Sequence, residues 1–197
     1  MKPYYILISL LLYISCKSQP KLKEGERFYK EIGWTVSFPK DQTFKNTDQI
    51  DSLQRETFKK IYDGQGKEFK GVPYKTIFFI AEGYNGFNST IEQYDTHEYK
   101  TWQQLHAADR AVILSNLESF KANAILKDSS TTFETIDGLK FEKFSFQLFA
   151  ASNNMTMTSH WYAAEKNGYN WVINISYVDE AAGKKYFDIL QNSRIEK

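Results

Sequence analysis

Two turn dipeptides, Asp137-Gly138 and Asn167-Gly168, each flanked by apolar-rich runs, constrain this chain more than any other feature. In Asp-Gly and Asn-Gly both central residues tolerate positive φ, which suits the two-residue turn of an antiparallel hairpin. With Asn153-Asn154 read as a further turn, the C-terminal part divides into a meander. Strands are expected over about 125–129, 132–136, 139–151, 155–166 and 169–178. A chain built this way must form a largely antiparallel sheet, and it must cover that sheet's apolar faces.

The remaining segments supply the covers. In WTVSF, Trp34, Val36 and Phe38 alternate with Thr35 and Ser37, the pattern of a half-buried strand, and Pro39 ends it. From 46 to 62 the period changes to helical, with Ile50, Leu53, Phe58 and Ile61 on one face and Asn46 or Thr47 as cap. KTIFFIAEG is apolar on both faces and is expected to lie centrally in the sheet. The longest helix is expected over 95–124, with Trp102, Leu105, Val112, Leu117 and Phe120 as its apolar positions. Asp179 caps a last helix whose apolar face includes Tyr186, Ile189 and Leu190. Helices interspersed among these strands make the expected class α+β, an α/β/α sandwich with a largely antiparallel sheet.

The only cysteine, Cys16, stands directly after an apolar run and the small residue Ser15. Lys2 precedes the run, which spans 4–14 and is too short to cross a bilayer as a helix of about 20 apolar residues. The arrangement resembles a bacterial lipoprotein signal, which implies cleavage between Ser15 and Cys16 and a diacylglycerol thioether on Cys16. Residues 1–15 are then a signal peptide, 16–27 the lipidated N-terminus and tether, and 28–197 one domain. Lipidation also accounts for a lone thiol in an exported protein, where a free one invites stray disulfides. The tether KSQPKLK carries no acidic residue, and by resemblance to lipoprotein sorting rules this implies the outer membrane, facing the periplasm.

Charge narrows the partners. Lys2 is the one charged residue among the first fifteen, so its loss takes Lys plus Arg from 25 to 24, equal to the 24 Asp plus Glu. A neutral chain without a basic stripe argues against nucleic acid, and against electrostatic attachment to anionic lipid. The expected partners are the membrane, through the covalent lipid, and an unidentified envelope protein or small ligand.

Three stretches carry a further resemblance. GWTVSFPKDQTF (33–44), a long helix following a two-sided strand, and the ending YFDILQNSRIEK (186–197) with Ser193 near its close are similar to the PsbP-like superfamily. Members of that superfamily act mostly as accessory or binding subunits and share no active site, so the resemblance implies a non-enzymatic module and transfers no functional residue.

Motifs for chemistry are sparse. The histidines are His97, His106 and His160. His97 and His106 stand nine apart, too far along one helix to chelate one metal, and no His-Glu-x-x-His or cysteine pair occurs. Asp95 and Glu98 read as a capping box. Gly64-Gln65-Gly66-Lys67 lacks the context of a phosphate loop, and no Gly-x-Ser-x-Gly occurs. No metal and no cofactor is expected. In the strand over 155–166, Thr156, Thr158, His160 and Tyr162 share one face. That face either lines a surface for an apolar or aromatic ligand, through His160 and Tyr162, or is the less buried side of the sheet.

Overall fold

The turns set the architecture. In a computed structural model, which describes residues 21–64, 74–93, 99–119 and 124–196, Asp137 and Gly138 have φ of 45° and 83°. Asn167 and Gly168 have 53° and 79°, and Asn154 has 52°. Along the chain the elements are β1 (Glu26–Tyr29), β2 (Trp34–Ser37), α1 (Thr47–Gly64), β3 (Tyr74–Glu82), β4 (Asn85–Gln93) and α2 (Trp102–Ser119). There follow β5 (Ile125–Ile136), β6 (Leu139–Ala150), β7 (Met155–Lys166), β8 (Tyr169–Tyr177), α3 (Glu180–Gln191) and β9 (Arg194–Ile195).

Six strands form one sheet in the order β3-β4-β8-β7-β6-β5, and β1-β2-β9 form a smaller one. Every pairing is antiparallel. The class is α+β, as the sequence implies. The inner face of the large sheet carries Phe78, Ile80, Phe87, Phe141, Tyr162, Trp171, Ile173 and Ile175, all buried. The small sheet and α3 pack onto it. Trp34 of β2 meets Trp171 at 4.8 Å between ring centroids, and Tyr186 of α3 meets Phe87 at 5.5 Å. Burying side chains of this size contributes about 1.5–3 kcal/mol each relative to exposure. The outer face carries Glu142, Phe144 and Phe146 of β6 and Trp161 of β7, and α2 lies across it.

Local chemistry explains the helix starts. Asn46 Oδ1 accepts from the Gln49 amide at 3.1 Å, and Asp179 accepts from the Ala181 amide at 2.9 Å, each satisfying an amide the first turn leaves open. The apolar face of α3 is as expected, with Tyr186, Ile189 and Leu190 buried.

Several expectations are corrected. β3 lies at an edge of the large sheet and not centrally. Its two apolar faces arise because Phe78 and Ile80 enter the core, with Ile77 packed half-buried against it at a bulge, while Phe79 is half-buried on the other side. α1 shields the neighbourhood of that edge, where Asp51 Oδ1 and Oδ2 accept from the Thr76 amide at 3.2 and 3.3 Å. Leu53, expected on the buried stripe of α1, is 53% exposed, because α1 meets only the sheet's rim. Residues 125–136 form one strand with a bulge between Leu126 and Asp128, not two. β4, a stretch where no element was expected, follows β3 through a tight turn. The described part of the long helix begins at Trp102, and Asp95, His97 and Glu98 lie outside the described residues.

Candidate functional site

β7 brings His160 and Tyr162 to the inner face of the large sheet. Tyr162 is fully buried in the main core. Its phenol is pushed far above its ordinary range, first by burial and then by the Glu134 carboxylate. The His–Tyr face is therefore the covered side of the sheet at Tyr162, and not its less buried side. Two residues away on the same face, His160 sits opposite Ser145 of β6, whose Oγ lies 2.8 Å from Nδ1. Nε2 lies 3.4 Å from the Tyr177 hydroxyl, and Phe187 of α3 packs edge-on against the ring at 5.2 Å. Burial, followed by the nearby Lys143 ammonium, pulls His160 down to about 4. A hydroxyl beside an imidazole suggests nucleophile and base, but here the second nitrogen meets a phenol and the ring is a weak base at neutral pH. His160 is half-buried, and Phe187 covers one edge of its ring.

A second cluster, absent from the sequence-based candidates, lies on the outer face beneath α2. Trp102 Nε1 donates to Asn170 Oδ1 at 3.0 Å, and Asn170 Nδ2 donates to Asp109 Oδ2 at 3.3 Å. Arg110 pairs with Glu142 of β6, and His106 Nδ1 lies 3.2 Å from the same carboxylate oxygen. His106 stacks on Trp102 with centroids 5.2 Å apart and planes 18° from parallel. Burial lowers His106 to about 4, and the Arg110 charge pushes in the same direction. Burial raises Asp109, partly offset by its bond from Asn170. The signal in the sequence was spacing: Trp102, His106, Asp109 and Arg110 recur at threes and fours on one stripe of α2, beside Leu105.

A shallow open depression of about 190 Å³ lies between α1 and β3, lined by Asp51, Gln54, Arg55, Tyr74 and Lys75. It contains neither His160 nor Tyr162. Cys16 and Ser15 lie outside the described residues. Among the described residues there is no group of three or more His, Cys, Asp or Glu that could hold a metal. Among them, too, no helix is long and apolar enough to cross a membrane.

Neither protein-family profiles nor curated protein sequences match the chain. Solved structures do. The solution structure of cyanobacterial PsbP (CyanoP) from Synechocystis sp. PCC 6803 superposes with a TM-score of 0.52 at 9% identity. The match covers 87% of this chain and 91% of that one. At that identity the likeness is one of fold, and the fold of this chain is PsbP-like.

Proposed function

We propose, from the PsbP-like fold and the position of the sole cysteine, that this chain is a lipid-anchored cell-envelope protein. It acts as a non-enzymatic binding or accessory module. The observation that carries the reading is Cys16, placed after an apolar run and a small residue and before a polar stretch. The thioether on Cys16 holds a formally neutral mature chain to the outer membrane on its periplasmic side, where charge alone would not. Two acyl chains or more anchor a protein stably where one does so only marginally. Nine residues separate Cys16 from β1, so the ten steps between them reach at most about 35 Å when fully extended. The domain therefore works close to the bilayer.

The non-enzymatic part draws support from the two polar clusters. Both are turned into helix–sheet contacts, and their histidines are held neutral by burial. A general base at neutral pH needs the opposite tuning.

The test is metabolic labelling with palmitate of the wild type and of Cys16→Ala, together with mass spectrometry of the native N-terminus. Label on the wild type alone, and a mature chain beginning at modified Cys16, is the expected result. A free thiol, or the first fifteen residues still present, overturns the anchor.

A further inference from the structure

The cluster beneath α2 holds an imidazole where a second positive charge has no place. His106 is 3% exposed and its ring lies flat against Trp102. The carboxylate oxygen nearest its Nδ1 is already engaged by Arg110. The described polar ties between α2 and the large sheet run through the same short stretch: Trp102 and Asp109 to Asn170, Arg110 and His106 to Glu142. Whatever disturbs that stretch disturbs the seating of the N-terminal half of α2.

We infer that α2 is an acid-releasable cover of the sheet, and that His106 is the group whose protonation lifts it. Above the ordinary imidazole range His106 is neutral and packs as an aromatic ring. A proton on it sets two cations against one carboxylate that is itself buried. The closed state therefore resists the proton and the released state accepts it.

Other charged groups face the cluster from each neighbouring element. α2 itself contributes Asp109 and Arg110. β6 contributes Glu142 and, two residues earlier on the same face, Lys140. Glu165 of β7 and Glu92 of β4 are both register partners of Asn170. β5 places the uncharged Phe133 opposite Glu142 and Thr135 opposite Lys140. Acid neutralises the carboxylates and removes what could balance His106. Asp109 runs the other way: its pKa is raised in the closed state, so its protonation favours closure. The balance is decided by His106, the most deeply buried of these groups and the one stacked within the contact.

The sign follows from the depressed imidazole. A group that binds protons less well when closed contributes stability that is complete above its free pKa of 6.5 and is lost as pH falls towards about 4. Release uncovers Trp102, Leu105 and His106 of α2, and Phe144 and Phe146 lie farther along the same outer face, buried yet apart from the main core. A strip of aromatic surface then becomes available under acid and hidden at neutral pH. This inference does not rest on the lipid anchor, and its failure would leave that proposal untouched.

The experiment is hydrogen exchange on the full chain at about pH 7.5 and about pH 5, corrected for intrinsic exchange, where protection of α2 amides should fall roughly thirty-fold. Amides of β7 and β8 should keep theirs. Trp102 emission should shift to longer wavelength in the same range as the indole leaves Asn170 for water, and Trp102→Phe should remove that change. His106→Gln should make α2 protection independent of pH across the range. Acid loss that persists in His106→Gln would assign the effect to the carboxylates and overturn the inference. Should that variant fail to fold, the wild-type His106 imidazole can be titrated by NMR. Titration well below 6.5, coincident with loss of α2 protection, supports the inference; titration near 6.5 with α2 still protected refutes it.

Discussion

Ser193→Ala is a one-atom deletion whose cost can be worked from the structure. Ser193 Oγ accepts from Trp34 Nε1 at 2.8 Å and donates to the Leu190 carbonyl at 2.7 Å, both in buried surroundings. Trp34 is completely enclosed by Tyr29, Phe78 and Trp171. Without Oγ its indole N–H faces apolar groups, and an unsatisfied buried donor costs about 1–3 kcal/mol. The Leu190 carbonyl loses little, because the Ser193 amide still donates to it at 3.1 Å. The expected loss is about 2 kcal/mol, or a fall in Tm of about 4–8 °C for a domain of this size. The assay is urea unfolding followed by circular dichroism, in the native background and in Trp34→Phe. A phenyl ring has no donor to strand, so in that background Ser193→Ala should cost less by about 1 kcal/mol. Equal costs in the two backgrounds, or a loss below about 0.5 kcal/mol in the native one, would show that the Trp34–Ser193 bond does not stabilise the packing of β2 against the end of α3.

Two further outcomes follow from burial. A Cβ on Gly183 of α3 would fall 2.8 Å from three atoms of the Tyr177 ring. Gly183→Ala should therefore destabilise by about 1 kcal/mol, the overpacking outweighing the helix-propensity gain; a raised Tm in calorimetry would refute the close approach. Burial pushes Tyr29, Tyr74 and Tyr186 from 10 up to about 12. Groups with raised folded pKa values contribute stability that is intact below pH 10 and lost as pH rises through 12. Tyrosinate absorbance should thus show a late, cooperative step coincident with unfolding, and a single smooth titration of all tyrosines near their ordinary value would contradict it.

What sequence reading recovered was local. The Asp137-Gly138 and Asn167-Gly168 turns, the long hairpins between them, and α3 with its Asp179 cap depend on residues within a few positions of one another. Turn chemistry and periodicity report such short-range preferences directly. β4 escaped because NGFNSTIEQ reads as polar. Its outer face carries Asn88, Thr90 and Glu92, and even its inner face includes Ser89, whose hydroxyl accepts from Trp171 Nε1 at 2.8 Å and donates to the Val172 carbonyl at 2.9 Å. A buried serine satisfied by a strand 83 residues away leaves no local trace.

Position within the sheet was decided only by the tertiary fold. An apolar run covered on both sides looks the same whether its neighbour is another strand or the flank of α1, so periodicity placed β3 at the centre and packing put it at the rim. The same holds for the candidate sites. The sequence by itself determined that His160 and Tyr162 share a face and that Cys16 stands alone behind an apolar run. Only the fold could decide that Tyr162 points into the core, and that His106 of α2 meets Glu142 of β6 next to Asn170 of β8. Those contacts depend on which strands are neighbours, a long-range choice made by the burial of the whole sheet and not by any short stretch of chain.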